Sequence, residues 1–289
     1  MKIASFKTGA TASYGIVTDK GIIDAGRRLT GFPTLKSLLA HGSLGELRKL
    51  TGEQPDHAMS SVELLPTIPD PDKIFCIGVN YATHLAESGH PTPAHPMVFT
   101  RFANSQVGSG QPMIRPLESE RFDYEGEMAV IIGKAGRRIS GETALNHVAG
   151  YSCYNDGSIR DWQRHTSQFT PGKNFAGTGG FGPWIVTTDE MPDVSKQTIT
   201  TRLNGAEVQA APISDLVFDV PTLIAYCSTF TELVPGDVIV TGTTGGVGAY
   251  RVPPLWMKDG DVVEVEVSGI GILRNPVKDE VANAAVRAA

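Results

Sequence analysis

The chain has 289 residues, 40% of them hydrophobic and 19% charged, with a formal net charge of −6. That balance excludes a disordered polar chain and a basic surface for nucleic acid or anionic lipid. No segment reaches the ~20 apolar residues needed to span a bilayer, and the start MKIASFKTGATASYG lacks the apolar stretch of a secretory signal. Three cysteines without paired spacing (Cys76, Cys153 and Cys227) suit reduced thiols buried as small apolar side chains in a cytoplasmic protein. An acidic protein that binds an anionic substrate needs a local positive centre, which a metal ion supplies.

In chain order, residues 1–70 read as a small α+β module. Short strands joined by Gly turns (IASFKTGATASYGIVTDKGIIDA) precede one or two short helices (TLKSLLAHGSLGELRKL). The stretch SVELLPTIPDPDK has three prolines in its last eight residues, which places a linker before a second domain, 71–289. From Lys73 the β runs lengthen: KIFCIGVN, EMAVIIG, GPWIVTT, TITTRLNGAEVQ, DVIVTGT and DVVEVEVSGIGIL. Strict alternation puts Val263, Val265 and Val267 on one face and Glu264 and Glu266 on the other. Asn204-Gly205 signals a tight hairpin. One helix interrupts the series: VPTLIAYCSTFTEL aligns Leu223, Ile224, Cys227 and Phe230 in a stripe, with Pro221 near its start. The final DEVANAAVRAA suits a short helix or a frayed tail equally.

Four groups of residues can carry chemistry. In DYEGEMAVII, alternation turns Asp123, Glu125 and Glu127 to one face. Carboxylates so close repel one another unless the face is solvated or a cation sits among them. The run into Met128–Ile132 looks buried, which favours the cation over the solvated strand. In YNDGSIRDWQ, Asp156 offers a further oxygen ligand or a helix cap. Arg160 there suits a substrate carboxylate, or pairs locally with Asp161. In NYATHLAE, His84 and Glu87 stand three apart on one helical face, as a carboxylate-oriented general base or as an exposed surface pair. His90 and His95 read as loop residues, and His41, His57, His147 and His165 have no evident partners. Last come two Gly-rich loops: PGKNFAGTGGFGP, which contains Lys173, and TGTTGGVG after the strand DVIV. Neither is a phosphate-binding Walker loop nor a dinucleotide fingerprint, and both admit a purely structural reading.

The order GVNYATHLAE, DYEGEMAVIIG, YSCYNDGSIRDWQ, GKNF…GP, VPGDVIVTGTTGGVG resembles the motif series of the fumarylacetoacetate hydrolase family over residues 73–277. It most resembles the short branch with acylpyruvate hydrolases, oxaloacetate decarboxylases and 2-hydroxyhepta-2,4-diene-1,7-dioate isomerases. The resemblance implies a mainly β fold with some α, a mixed β-roll behind the small N-terminal module, assembled as a homodimer. It implies Mg2+ or Mn2+ (Ca2+ in some relatives) held by Glu125, Glu127 and Asp156. His84 and Glu87 match a water-activating dyad on a short lid segment, and Lys173 a lysine that stabilises developing negative charge. Arg160, Gln163 and Thr243 match substrate contacts, and Tyr81 is grouped with them. Two departures border the expected site: Thr244 replaces a proline in TGTTGGVG, and KNFAGTGGFGP is unusually rich in glycine.

These parts suit a hydrolase that cleaves a carbon–carbon bond in a small 2,4-dioxo acid such as an acylpyruvate, fumarylpyruvate or fumarylacetoacetate. The same enolate would serve an oxaloacetate-type decarboxylase or a dienoate hydratase or isomerase. A scaffold with a decayed site is the non-enzymatic alternative, and the presence of all three carboxylates argues against it. Tyr250, Arg251 and Trp256, close after the TGTTGGVG loop, are expected to line the pocket.

Overall fold

The structure, a computed structural model, describes residues 1–89 and 91–282. His90 and the end of the DEVANAAVRAA segment, 283–289, lie outside the described residues.

The strand Gly126–Ile132 is buried along its whole length. Alternation sends Met128, Val130 and Ile132 into one core and Ala129 and Ile131 into another. This strand lies inside an eleven-stranded mixed sheet. On one side it pairs antiparallel with Val148–Asn155, on the other with Val238–Val240. Val238–Val240 then pairs parallel with Ile74–Gly78, which pairs antiparallel with Met97–Arg101. The ends of these strands carry the chemistry described below.

A second, five-stranded sheet covers one face. It follows the order Ala206–Pro212, Thr198–Leu203, Val262–Val267, Gly271–Asp279, Met113–Arg115. Val263, Val265 and Val267 are buried as their alternation requires, while Glu264 and Glu266 pair with Arg274 and Arg202 on the open face. Asn204 and Gly205 both have positive φ (53° and 80°), the backbone that a two-residue hairpin needs.

The helix Val220–Phe230 is capped by Asp219, which accepts from the Thr222 N–H at 2.9 Å. Leu223, Ile224 and Cys227 are buried, but Phe230 is 53% exposed. It is the last helical residue, and its ring meets Phe75 edge-on at 5.7 Å instead of entering the core.

The first 70 residues form four strands and short helices at Ala25–Arg28, Leu35–Ala40 and Leu44–Arg48. Their strand Lys2–Thr8 pairs with Gly179–Thr187, so they extend the main sheet. Ile3, Ile23 and Leu38 share a core with Ile131 and Val238. The proline-rich stretch is pinned as well: Glu63–Leu64 pairs with Phe6 and Lys7, and Ile68 is buried. The apolar stretch VAGYSCY is the buried strand Val148–Asn155.

One residue joins the strand ends. Asn80 is fully buried; its Nδ2 donates to Thr241 O (2.8 Å) and Phe218 O (3.0 Å), and its Oδ1 accepts from Phe218 N (2.8 Å). Val79 beside it has φ +54°, a costly left-handed conformation for a β-branched residue. The three bonds of Asn80 hold that backbone in place. Asn80→Ala strands several buried partners, and a loss of roughly 2–4 kcal/mol is expected in urea unfolding. A change below half a kcal/mol would refute the role.

Candidate active site

Five elements converge at the strand ends. The turn before Gly126–Ile132 supplies Glu125, and the strand itself Glu127. The end of Val148–Asn155 delivers Asp156, whose N–H donates to Glu125 O at 2.8 Å. The short helices Arg160–Gln163 and Thr170–Lys173 contribute their named ends, and Ala82–Ser88 carries His84 and Glu87. All these groups except Glu87 line one cavity of about 200 Å3, along with Thr243, Phe99, Phe169, Tyr250 and Arg164.

The carboxylate oxygens of Glu125, Glu127 and Asp156 lie within 4.8 Å of one another, and all three residues are buried. Such charges survive burial only with partners. Lys173 Nζ bridges Asp156 Oδ2 (2.6 Å) and Glu125 Oε2 (2.5 Å), and Arg101 meets Asp156 Oδ1 at 2.7 Å. Arg160 Nε donates to Asp123 at 2.7 Å. Its Nη2 stands 2.6 Å from Glu125 Oε1 as an ion pair, without hydrogen-bond geometry. Burial alone would raise Glu125, but Arg160 and Lys173 outweigh it and hold the carboxyl down to about 2. Burial also works against the charge on Lys173, which Asp156 and Glu125 more than restore.

Glu127 differs from its neighbours. It accepts one backbone bond, from Gly242 N at 2.5 Å, and has no cationic partner among the described residues. Burial, compounded by Asp156 and Glu125, pushes its carboxyl well above the usual range. A divalent cation among the three carboxylates would remove that penalty, and an all-oxygen donor set suits a hard cation. The residues therefore fit such an ion.

His84 Nδ1 lies 2.8 Å from Glu87 Oε1, and Glu87 Oε2 accepts from Gly246 N at 2.7 Å. An ionised carboxylate only accepts, so Nδ1 carries the proton and Nε2 is the basic nitrogen. His84 is close enough to Glu125 to help hold that carboxyl down. Gln163 Oε1 accepts from Arg160 at 2.9 Å, and Thr243 Oγ1 donates to Gly126 O at 3.0 Å.

Several sequence expectations need correction. Asp123 does not join the carboxylate group. The strand is interrupted between Phe122–Asp123 and Gly126–Ile132, so alternation does not carry through. Asp123 pairs with Arg160 instead and accepts from Gly248 N and Ala249 N. Asp156 caps no helix, and Asp161 accepts from Ser119 and not from Arg160. Tyr81 does not line the cavity. It immediately precedes the helix Ala82–Ser88, and its ring enters the core beside Ile77 and Met128, with its hydroxyl buried and unpartnered. Tyr250 lines the cavity, whereas Arg251 and Trp256 do not. His57 has a partner, Asp24, at 3.1 Å. Arg101 went unnoticed in the sequence. A lone arginine in the run MVFTRF, near a group of acids destined for burial, was the available signal.

A mainly β fold thus encloses a buried carboxylate triad beside a His–Glu pair. The chain belongs to the fumarylacetoacetate hydrolase family: the family's C-terminal domain model matches residues 73–278. Oxaloacetate tautomerase fahd2, mitochondrial, of Xenopus laevis is 43% identical over 220 residues, 75% of this chain and 69% of that protein. A fumarylacetoacetate hydrolase from the psychrophile Exiguobacterium antarcticum has a structure similar to this one. Its TM-score is 0.86 at 35% identity, covering 97% of this chain and 100% of that one. Maleylpyruvate hydrolase from Sphingobium sp. SYK-6, in complex with manganese (II) ion and pyruvate, has a TM-score of 0.82 at 27% identity, with 97% and 100% covered. No described helix is long and apolar enough to cross a membrane.

Adding Mn2+ is expected to raise the melting temperature, by the equivalent of about 2.7 kcal/mol at a hundredfold excess over Kd. Glu127→Gln should abolish most of that shift. A wild-type melt indifferent to Mn2+, Mg2+ and Ca2+ would count against the triad.

Proposed function

We propose that the protein is a divalent-metal-dependent enzyme that interconverts the keto and enol forms of a short 2-oxo dicarboxylic acid of the oxaloacetate type. The observation that carries this reading is a carboxylate-held base, His84, facing a cavity of about 200 Å3 that also contains the acidic triad. The volume suits a substrate of a few carbons, since drug-sized ligands occupy roughly 300–1,000 Å3. Charge also favours a dicarboxylate. Arg101, Arg160 and Lys173 are each paired with carboxylates, whereas Arg164 lines the cavity with no ion pair among the described residues. It is the group suited to a second, outer carboxylate. The identity with the frog oxaloacetate tautomerase supports the same choice.

Glu125, Glu127 and Asp156 would hold Mg2+ or Mn2+, which acts as a Lewis acid when bound. His84 Nε2 removes a proton from the carbon between the two carbonyl groups, and Glu87 stabilises the imidazolium that forms. The electron pair moves onto the 2-oxo oxygen, and the Lys173 ammonium stabilises its charge. Proton return to that oxygen yields the enol, and the reverse sequence yields the ketone. Arg160, whose Nη2 pairs with Glu125 at 2.6 Å, lines the same cavity and supplies positive charge to the inner carboxylate. Phe99, Phe169 and Ile77 give the cavity an apolar side next to the carbanion.

Hydrolysis of a 2,4-dioxo acid is the second reading. The His84–Glu87 pair is complete and can deprotonate water for attack on the outer carbonyl, and the likeness to a maleylpyruvate hydrolase favours it. The two readings part on product: tautomerisation changes enol absorbance without carbon–carbon cleavage, while hydrolysis releases pyruvate. A cytoplasmic location remains part of the proposal, resting on three free buried thiols; the frog relative's name specifies mitochondria. The homodimer does too: exposed Phe102, Leu117 and Val252 offer apolar surface to bury, and sedimentation should give twice the 30.8 kDa chain mass.

With Mn2+ present, the purified enzyme should accelerate enol loss from oxaloacetate. His84→Ala should lower kcat by about 10²–10⁴-fold while keeping the Mn2+ melting shift. Arg164→Gln should raise KM for oxaloacetate roughly tenfold and leave that of a monocarboxylic acylpyruvate unchanged. Pyruvate release from acylpyruvates without any effect on oxaloacetate would overturn the tautomerase reading.

A further inference from the structure

Arg251 lies outside the cavity, half-buried, on the loop after TGTTGGVG. Its hydrogen bonds converge around Gly246. Its Nε donates to Gly246 O (3.1 Å) and to the Tyr124 hydroxyl (2.9 Å), and its Nη2 to Val208 O (2.6 Å). The Tyr124 hydroxyl donates to Gly246 O as well, at 3.1 Å. The Gly246 carbonyl thus receives two donors. The N–H of the same residue is the donor that holds Glu87 Oε2 at 2.7 Å.

Gly246 has little freedom between these bonds. Its φ is +99°, and a Cβ there would lie 2.3 Å from Val208 O, the same oxygen region that Arg251 grips. The neighbouring Gly245 N–H donates to Thr83 Oγ1 at 3.1 Å. The helix Ala82–Ser88 is therefore fastened to this loop at two successive amides, on the turn that carries the dyad. Tyr124 lies between Asp123 and Glu125, so the same fastening reaches the turn that supplies Glu125.

We propose that Arg251 is a positioning residue: by clamping Gly246 against Tyr124 and Val208, it aims the Gly246 N–H at Glu87 and so fixes the tautomer and direction of His84. It touches neither substrate nor metal. Without the clamp, Gly246 can rotate its amide away, as glycine readily does. Glu87 then loses its second anchor, and the His84 ring is held by one mobile carboxylate. The idea rests on His84 being the base, but its first readout requires no substrate.

Arg251→Met keeps the aliphatic stem and removes the donors. In long-range 1H–15N spectra of the His-labelled protein, wild-type His84 should show a single Nδ1–H tautomer and Arg251→Met a mixture. In Mn2+-loaded turnover of oxaloacetate or an acylpyruvate, Arg251→Met should reduce kcat roughly tenfold with KM and Mn2+ affinity unchanged. Arg251→Lys, which can still reach one acceptor, should restore part of it. In a Glu87→Ala background Arg251→Met should cost nothing further, since the two act along one path. Multiplicative losses in that cycle, or an unchanged His84 tautomer, would overturn the proposal. Lack of turnover on every 2-oxo acid with the tautomer change intact would instead count against the proposed reaction and leave the clamp standing.

Discussion

Putting several carboxylates out of reach of water constrains the rest of this molecule. Asp123, Glu125, Glu127 and Asp156 are all buried, against three buried cations, Arg101, Arg160 and Lys173. Each unpaired ion in such a place costs several kcal/mol, and pairing returns that cost only when geometry is good. The arrangement leaves one negative charge over, and Glu127 is where it falls. A fold under no functional demand would replace these groups by apolar ones of similar volume. Glu125, Glu127 and Asp156 stand at the ends of strands whose middles are buried and mostly apolar.

The surrounding architecture follows from that constraint. Gly126–Ile132 is buried on both faces and leaves its end stiff, so Glu127 has little conformational freedom. Asp156 arrives on the adjacent antiparallel strand, whose register sets Gly126 opposite Asn155. Lys173 comes from a one-turn helix packed over the same end, with its ammonium also 5.1 Å from the Phe99 ring. The His84–Glu87 pair stands on the helix Ala82–Ser88, tied to the sheet by Asn80 and by the Gly245–Gly246 amides. The triad and the His84–Glu87 pair thus belong to differently anchored parts of the fold.

Much of this was legible before any coordinates. Alternation in DVVEVEV, the Asn204-Gly205 turn and the capped helix from Val220 are local signals with local causes, and they hold in the fold. The order of five motifs indicated the family and, through it, the triad. Legibility failed where a side chain's role depends on a partner far along the chain. Arg101 is an arginine in an apolar run until the sheet sets it beside Asp156, 55 residues away. Asp123 shares the spacing of Glu125 and Glu127, but a break in the strand sends it to Arg160. Tyr81 adjoins the dyad in sequence and faces the core in space.

The amino-acid sequence by itself determined which groups are present: three carboxylates able to bind a hard cation, a histidine and glutamate three apart, and one lysine in a glycine-rich loop. It also determined the strands and turns, since hydrophobic period and turn chemistry act over a few residues. Only the tertiary structure decided which charges pair and which one stays short of a partner. It alone also decided that His84 and the triad line one cavity and that Arg251 lies outside it. Electrostatic compensation is a property of distances across the fold, and those distances are set by register and packing between segments that no local pattern relates.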